Sequence, residues 1–486
     1  MYQATINNSF SLPFSEELYL AELLSRCGIL ISVPCGGNGS CGKCKVLANG
    51  RLSPLSQKEK ALLTEEEIKQ GYRLACVAKA TGDVCITAEE APPVVEIDFS
   101  LESHQIPFDF TDGLVIDIGT TTIAAVLYQE KKPIKIITEA NRQLCYGADV
   151  ISRIAAERDH PGALYSLLRN QIEDLISACH RPNNTVIVAN TVMLHFLTEQ
   201  PVLPLGEAPY QVADLFGKIY PLFQTQCYLS PCISAFVGGD ITAGILASRM
   251  VEKQESSLLV DLGTNGEIAY FDGTSLYTAS TAAGPAFEGA GIFMGIPAKP
   301  GAINSVSLVN DNIAYTTVGN TKAKGICGSG IVDALAVMKQ IGVLEESGTL
   351  REEHPLCSPD FHGRPCFRIP GTEVILTRED IRALQLAKGA IHAGILTLAE
   401  SADVLYLSGG FGSQINAENA EYIGLLPKGF AKKTKVLGNT ALCGGTLALF
   451  SMAEREKLSQ IAQKSNSIAF HGNPDFTERY LNAMYF

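Results

Sequence analysis

Four cysteines, Cys35, Cys41, Cys44 and Cys76, are spaced C-x5-C-x2-C-x31-C within CGGNGSCGKC and GYRLAC. Four thiolates can hold a 2Fe–2S cluster, and Gly36, Gly37, Gly39 and Gly42 let backbone N–H groups approach its sulfides. Zinc is the alternative for such a set. Zinc sites favour two C-x2-C knuckles, however, and only Cys41 and Cys44 form one. The other ten cysteines make no further C-x2-C pair, and most are expected to be small buried hydrophobes.

A second chemistry lies in two related segments. LVIDIGTTTIAAVLY (114–128) recurs as LLVDLGTNGEIAYF (258–271), with Asp117 and Asp261 at the same place in each. Each reads as a strand, an Asp-x-Gly-Thr turn and a return strand. Such turns aim backbone N–H and hydroxyl groups at phosphate oxygens, here from Gly119, Thr120, Thr121, Thr122, Gly263, Thr264 and Asn265. Asp117 and Asp261 would organise Mg²⁺ through water. Asp240 in FVGGD and Glu267 are candidates to orient a hydrolytic water, and Glu288 in GPAFEG is a weaker one. Their plain alternatives are a helix-start Asp and a strand-surface Glu. No Walker A sequence, H-E-x-x-H pair or G-x-S-x-G elbow is present.

The elements that must position these groups fall into two textures. Residues 1–97 read as a compact unit: strands near 2–6, 9–12 and 83–88, an amphipathic helix over 16–27, and a Lys/Glu-rich helix over 57–69. Residues 98–112 read as a linker. From 113 to 486 strands alternate with helices, an α/β texture, and the repeated hairpin predicts two subdomains, about 113–250 and 256–486. A short helix is expected within 470–486.

Among 486 residues the hydrophobic fraction is 46%, which excludes general disorder. The net charge of −13, with no basic stripe, argues against nucleic acid and anionic membranes as partners. No secretory signal or run of about 20 apolar residues is visible, so a cytoplasmic protein with reduced thiols is expected.

The four-cysteine segment resembles a 2Fe–2S ferredoxin domain, with the longer first gap of the adrenodoxin branch, which implies a β-grasp fold. VLYLSGGFGS (404–413) resembles the adenosine motif of the ASKHA superfamily of sugar kinases, chaperone ATPases and actin. That implies a duplicated ribonuclease-H-like ATPase clasping ATP, with Gly409, Gly410 and Phe411 at the adenosine. Gly328 and Ser329 in GICGSG, and the turn GNTALCGG, would line the same cleft. Taken together, with GPAFEGAGI and DIRALQLAKGAI, the chain resembles the reductive activators of corrinoid proteins.

The resemblance implies ATP-dependent reduction of Co(II) corrinoid to Co(I) in a corrinoid protein or cobalamin-dependent methyltransferase. Electrons would pass through the cluster, and the upstream donor is left unnamed. A homodimer is left open. The short stretch before the first hairpin leaves no room for the extra middle domain of some relatives. Competing readings are an ATP-coupled donor to a non-corrinoid acceptor, a small-molecule kinase with a redox-sensing domain, and a zinc-bearing scaffold.

Overall fold

The computed structural model describes residues 1–7, 10–27, 29, 31, 37, 39, 42–88, 106–289, 291–359, 363–412 and 415–486. Cys35 and Cys41 lie outside the described residues, as do 98–105 of the expected linker and the side chain of Phe411.

The N-terminal sheet runs, in spatial order, Phe10–Phe14, Tyr2–Ile6, Lys79–Thr87, Lys45–Leu52 and Tyr72–Leu74. Tyr2–Ile6 pairs parallel with Lys79–Thr87, the central feature of a β-grasp. Alternation along Lys79–Thr87 turns Ala80, Val84 and Ile86 inward, where Leu20, Leu23 and Leu24 of the helix Leu20–Arg26 meet them. That helix starts later than the sequence suggests, because Leu18–Tyr19 is drawn into the sheet opposite Ala80 and Lys79. The expected helix over 57–69 is two helices, Gln57–Leu62 and Glu65–Gln70. Leu63 is extended, and Thr64 begins the second with its own capping box to Glu67.

The remainder is α/β and built on two similar sheets. In the first, Gly113–Ile118, Thr122–Gln129 and Lys132–Ala140 form an antiparallel meander. Thr185–Ala189 lies parallel beside the first of them, with Thr225–Leu229 beyond. In the second, Ser257–Leu262, Gly266–Phe271 and Leu276–Thr281 form the meander, followed outward by parallel Val404–Ser408 and Thr434–Val436. Thr185–Ala189 and Val404–Ser408 are buried at every position, as central parallel strands covered on both faces must be. Helices Gly239–Ser248 and Thr440–Phe450 pack together between the sheets, and Ile241, Leu246, Leu447 and Leu449 share a core with Val115, Val188 and Leu259. This is the duplicated ribonuclease-H-like arrangement of an ASKHA fold.

The N-terminal unit rests on the first of these sheets' subdomains. Ser25 Oγ donates to the Arg142 carbonyl at 2.6 Å, and Tyr146 Oη donates to Glu22 at 3.1 Å. Cys145 packs against the core of the N-terminal unit. Among the described residues no helix is long and apolar enough to cross a membrane.

Candidate functional site

At the N-terminal unit, Cys44 and Cys76 are 1% and 7% exposed, and their Sγ atoms lie 3.1 Å apart. That exceeds the roughly 2.05 Å of a disulfide and is close enough for both thiolates to bind one iron. Their segments are joined directly, since the Ala75 N–H donates to the Cys44 carbonyl at 2.8 Å. Behind them a buried ion pair fixes the approach to Cys76. Arg73 donates to both oxygens of Glu59, at 2.8 and 3.1 Å, and the Leu74 N–H donates to the same carboxylate at 3.3 Å. Burial alone would raise the Glu59 carboxyl; the Arg73 hydrogen bonds and the backbone N–H groups outweigh it and hold it low. Gly39 has φ +63°, and a Cβ there would fall 2.5 Å from Val77 Cγ2, so only glycine lets the loop lie this close. Two paired, buried thiols with Gly39 held close to Val77 fit a 2Fe–2S cluster. Cys145, nearby across the domain contact, has its thiol pushed up to about 12, chiefly by burial, and stays neutral.

The second site lies between the two sheets. Asp117 and Asp261 end equivalent strands, and each has one neighbour fixing it: Asn439 Nδ2 donates to Asp117 at 2.8 Å, and Ser408 Oγ donates to Asp261 at 2.8 Å. The two Gly-Thr turns face each other, with the Thr121 and Thr264 hydroxyls 3.4 Å apart. Both donate to Glu288, at 2.9 and 3.1 Å. Gly409 is needed at its position, since φ is +91° and a Cβ would sit 2.7 Å from Asp261 Oδ1.

Carboxylates accumulate here with little to balance them. Asp117, Asp240, Asp261 and Glu288 keep some solvent contact at the cleft, whereas Glu267 is 6% exposed. The carboxyl of Asp117 is pushed up to about 6 by burial, against the Asn439 hydrogen bond and helped by the charge of Asp261. Asp240 is raised by burial first and then by the charges of Asp261 and Asp117, and Glu267 by burial first and then by Asp240 and Asp261. Glu267 Oε1 has no hydrogen-bond partner among the described residues. Among those residues no three His, Cys, Asp or Glu side chains converge closely enough to chelate a bare metal ion. Carboxylates beside hydroxyl-bearing turns are a donor set whose chemistry fits a hydrated divalent cation.

The structure thus brings Asp117, Asp261, Asp240 and Glu267 into one charged cluster. Glu267 is not the surface residue of its plain alternative, because the second sheet turns it toward Asp240. Asp240 does stand at a helix start, in Gly239–Ser248, and also faces the cleft charges. Thr120 is buried and accepts from Asn190 Nδ2 at 3.3 Å. Thr122 and Asn265 use their backbone carbonyls to close the turns onto the Gly119 and Gly263 N–H groups. Ser329 spends its hydroxyl on the Asn304 carbonyl, and Gly328 opens the helix Gly328–Gln340 beside Pro285–Glu288. Gly410 follows Gly409 and is exposed.

Sequence reasoning missed the groups that support the first turn. Asn141 Nδ2 donates to the Gly119 carbonyl at 3.0 Å, and the Asn141 N–H to that of Thr121 at 2.9 Å. Arg153, wholly buried, donates to the Thr120 and Gly147 carbonyls and to Gln143. Burial lowers its guanidinium to about 10, still charged at neutral pH. Nothing in its helical context, ISRIAAERD, marks it as different from a surface arginine.

Comparison with known proteins covers the same segments. Residues 4–81 match the 2Fe-2S iron-sulfur cluster binding domain. Residues 112–253 match the RACo middle region, and 255–486 match the C-terminal domain of RACo, the ASKHA domain. What that description calls a middle region is here the first subdomain, beginning at the first hairpin. The chain is similar to the corrinoid activation enzyme RamQ of Eubacterium limosum, with 28% identity over 97% of each chain. It is also similar to a Co(II) methylated amine-specific corrinoid protein reductase of Methanosarcina barkeri, 30% identical over 52% of this chain and 50% of that one. A solved structure, a reductive activator for corrinoid,iron-sulfur protein, superposes with a TM-score of 0.69 and 27% identity, covering 100% of this chain and 98% of the other.

Proposed function

Because this chain belongs to the family of reductive activators of corrinoid proteins, we propose that it reduces a Co(II) corrinoid protein to Co(I) at the expense of MgATP. The working units of this reading are 1–97 for electron delivery and 113–486 for nucleotide turnover, joined by 98–112, in the cytoplasm. A 2Fe–2S cluster bound by Cys35, Cys41, Cys44 and Cys76 supplies one electron at a time. For one electron, each ~59 mV of uphill transfer costs a factor of ten in equilibrium constant, so a strongly reducing acceptor needs coupling.

The residues of the second unit supply the means. The Gly119–Thr121 and Gly263–Asn265 turns receive phosphate oxygens, and Asp117 and Asp261 orient water on Mg²⁺. Asp240 and Glu267, with raised carboxyls, are placed to accept a proton from the attacking water. Gly409 and Gly410 leave room for the adenosine. The observation that carries the reading is the meeting of Thr121 and Thr264 across the cleft, from the two halves of the duplicated fold.

The test is anaerobic. Reduced protein mixed with a Co(II) corrinoid protein gives the Co(I) absorption band only with MgATP, together with inorganic phosphate. No band with any of several corrinoid proteins removes the corrinoid reading, and a labelled phosphorylated metabolite in place of phosphate favours a kinase.

A further inference from the structure

Glu288 lies on the short 3-10 helix Pro285–Glu288, and nothing in the reaction outlined above uses it. Its position is unusual. Each of its two oxygens accepts one hydroxyl hydrogen bond, Oε2 from Thr121 of the first turn and Oε1 from Thr264 of the second. Oε1 also lies 3.7 Å from where a Cβ of Gly263 would stand, within the curl of the second turn. A carboxylate therefore occupies the point where both phosphate turns converge. It presents anionic oxygens to the same donors that a phosphoryl group would use.

Its charge surroundings agree with that placement. Burial raises its carboxyl, the two threonine hydroxyls lower it, Asp261 raises it and the Arg153 guanidinium lowers it. The group thus sits between the opposing charges of Arg153 and Asp261. A phosphoryl group arriving at Thr121 and Thr264 would meet a like charge and would have to take over both hydroxyls.

Resting on the nucleotide reading of this cleft, we propose that Glu288 stands in for the terminal phosphate and sets the discrimination between nucleoside triphosphate and diphosphate. A triphosphate must displace the carboxylate from both threonines. A diphosphate, one phosphoryl group shorter, leaves it in place. Before nucleotide binds, the same contacts clasp the two turns across the cleft. Glu288 is then a specificity-determining residue, and its removal favours the triphosphate selectively.

The experiment is calorimetric titration of the full chain with MgADP and with the non-hydrolysable β,γ-imido analogue of MgATP. Glu288→Gln keeps the shape and removes the charge, and Glu288→Ala removes both. Each is expected to tighten the triphosphate analogue about tenfold while leaving MgADP within about threefold, since two charge-assisted hydrogen bonds need no longer be broken. Glu288→Asp, which keeps the charge, returns the ratio toward that of the unaltered protein. Equal changes for both nucleotides overturn the proposal and make Glu288 a simple clasp. Weaker binding of the triphosphate analogue in Glu288→Gln overturns it too, and makes the carboxylate a ligand of the magnesium nucleotide. If the unaltered protein binds neither nucleotide, the nucleotide reading itself fails and the proposal falls with it.

Discussion

The cluster region and the nucleotide cleft manage charge in opposite ways. Around Cys44 and Cys76 the protein completes its own balance: Glu59 and Arg73 neutralise each other within the core, and the paired thiols are pinned by backbone hydrogen bonds. In the cleft, Asp117, Asp240, Asp261, Glu267 and Glu288 gather with Arg153 as the buried guanidinium behind them. All five carboxyls are raised, by burial first and, for all but Asp261, also by a neighbouring carboxylate. The first region offers the paired thiols of Cys44 and Cys76 from a core whose charges are already balanced. The second gathers carboxylates whose repulsion a cation would relieve, and a ligand that did so would stabilise the fold.

If the two regions are distinct in this way, they should fail separately. Cys76→Ser or Cys44→Ser is expected to abolish the visible iron–sulfur absorption and lower Co(I) formation by about 100-fold or more, leaving MgATP binding intact. Asp261→Asn should do the reverse, lowering phosphate release about 100-fold with the visible spectrum unchanged. Loss of both properties in either variant would break the comparison, because one region would then be a structural support of the other.

A smaller effect tests the raised carboxyls directly. The carboxyls of Asp117 and Asp240 are pushed up from about 4 in an unfolded chain to about 6 and about 7 in the fold. The folded state therefore binds these protons more tightly than the unfolded one. Their contribution to stability is present at low pH and is lost as pH rises through that range. In Mg²⁺-free buffer, melting should fall between pH 5 and pH 8 on this account. Mg²⁺ should raise the melting temperature by about 2–4 °C at pH 8 and by less at pH 5.5, since a cation replaces the lost protons. Equal Mg²⁺ effects at both pH values, read by differential scanning calorimetry, would remove the carboxylates as the cause.

The two regions also differ in how far they could be read from the chain. Cys35, Cys41, Cys44 and Cys76 stand out in the sequence because thiolate ligation depends on residue type and short spacing, and the structure brings Cys44 and Cys76 together. The turns at Gly119 and Gly263 were legible for the same local reason, and the repeat of one in the other implied the duplicated fold. Glu267 was legible as a candidate, but its burial was not: its strand neighbours are apolar, and only the packing of the second sheet turns it inward beside Asp240. Arg153, Asn141 and Asn190 were not legible either, because their role is to hold carbonyls and a hydroxyl of a turn distant in sequence. The break at Thr64 shows the same limit at smaller scale. The Lys/Glu pattern continues through it, while one side-chain hydrogen bond to Glu67 restarts the helix.

The least effect expected comes from the segment that joins the regions. Residues 141–153 carry the phosphate turn on one side, through Asn141 and Arg153, and the N-terminal unit on the other, through Arg142 and Tyr146. A cavity of about 540 Å³ opens along this joint, lined by Cys76, Gly37, Glu22, Tyr146, Asp149 and His160 among others. Tyr146→Phe removes one hydrogen bond to Glu22 and leaves the ring packed on His160. Such a loss is worth about 1 kcal/mol at most, roughly a fivefold change in docking. Linkage is reciprocal, so if docking and the phosphate turn are coupled, MgATP affinity must shift by the same factor that MgATP shifts docking. A two- to fivefold change in MgATP affinity in Tyr146→Phe would join the regions. An unchanged affinity, with docking measurably loosened by limited proteolysis between the units, would leave them mechanically independent and place the coupling in the corrinoid partner instead.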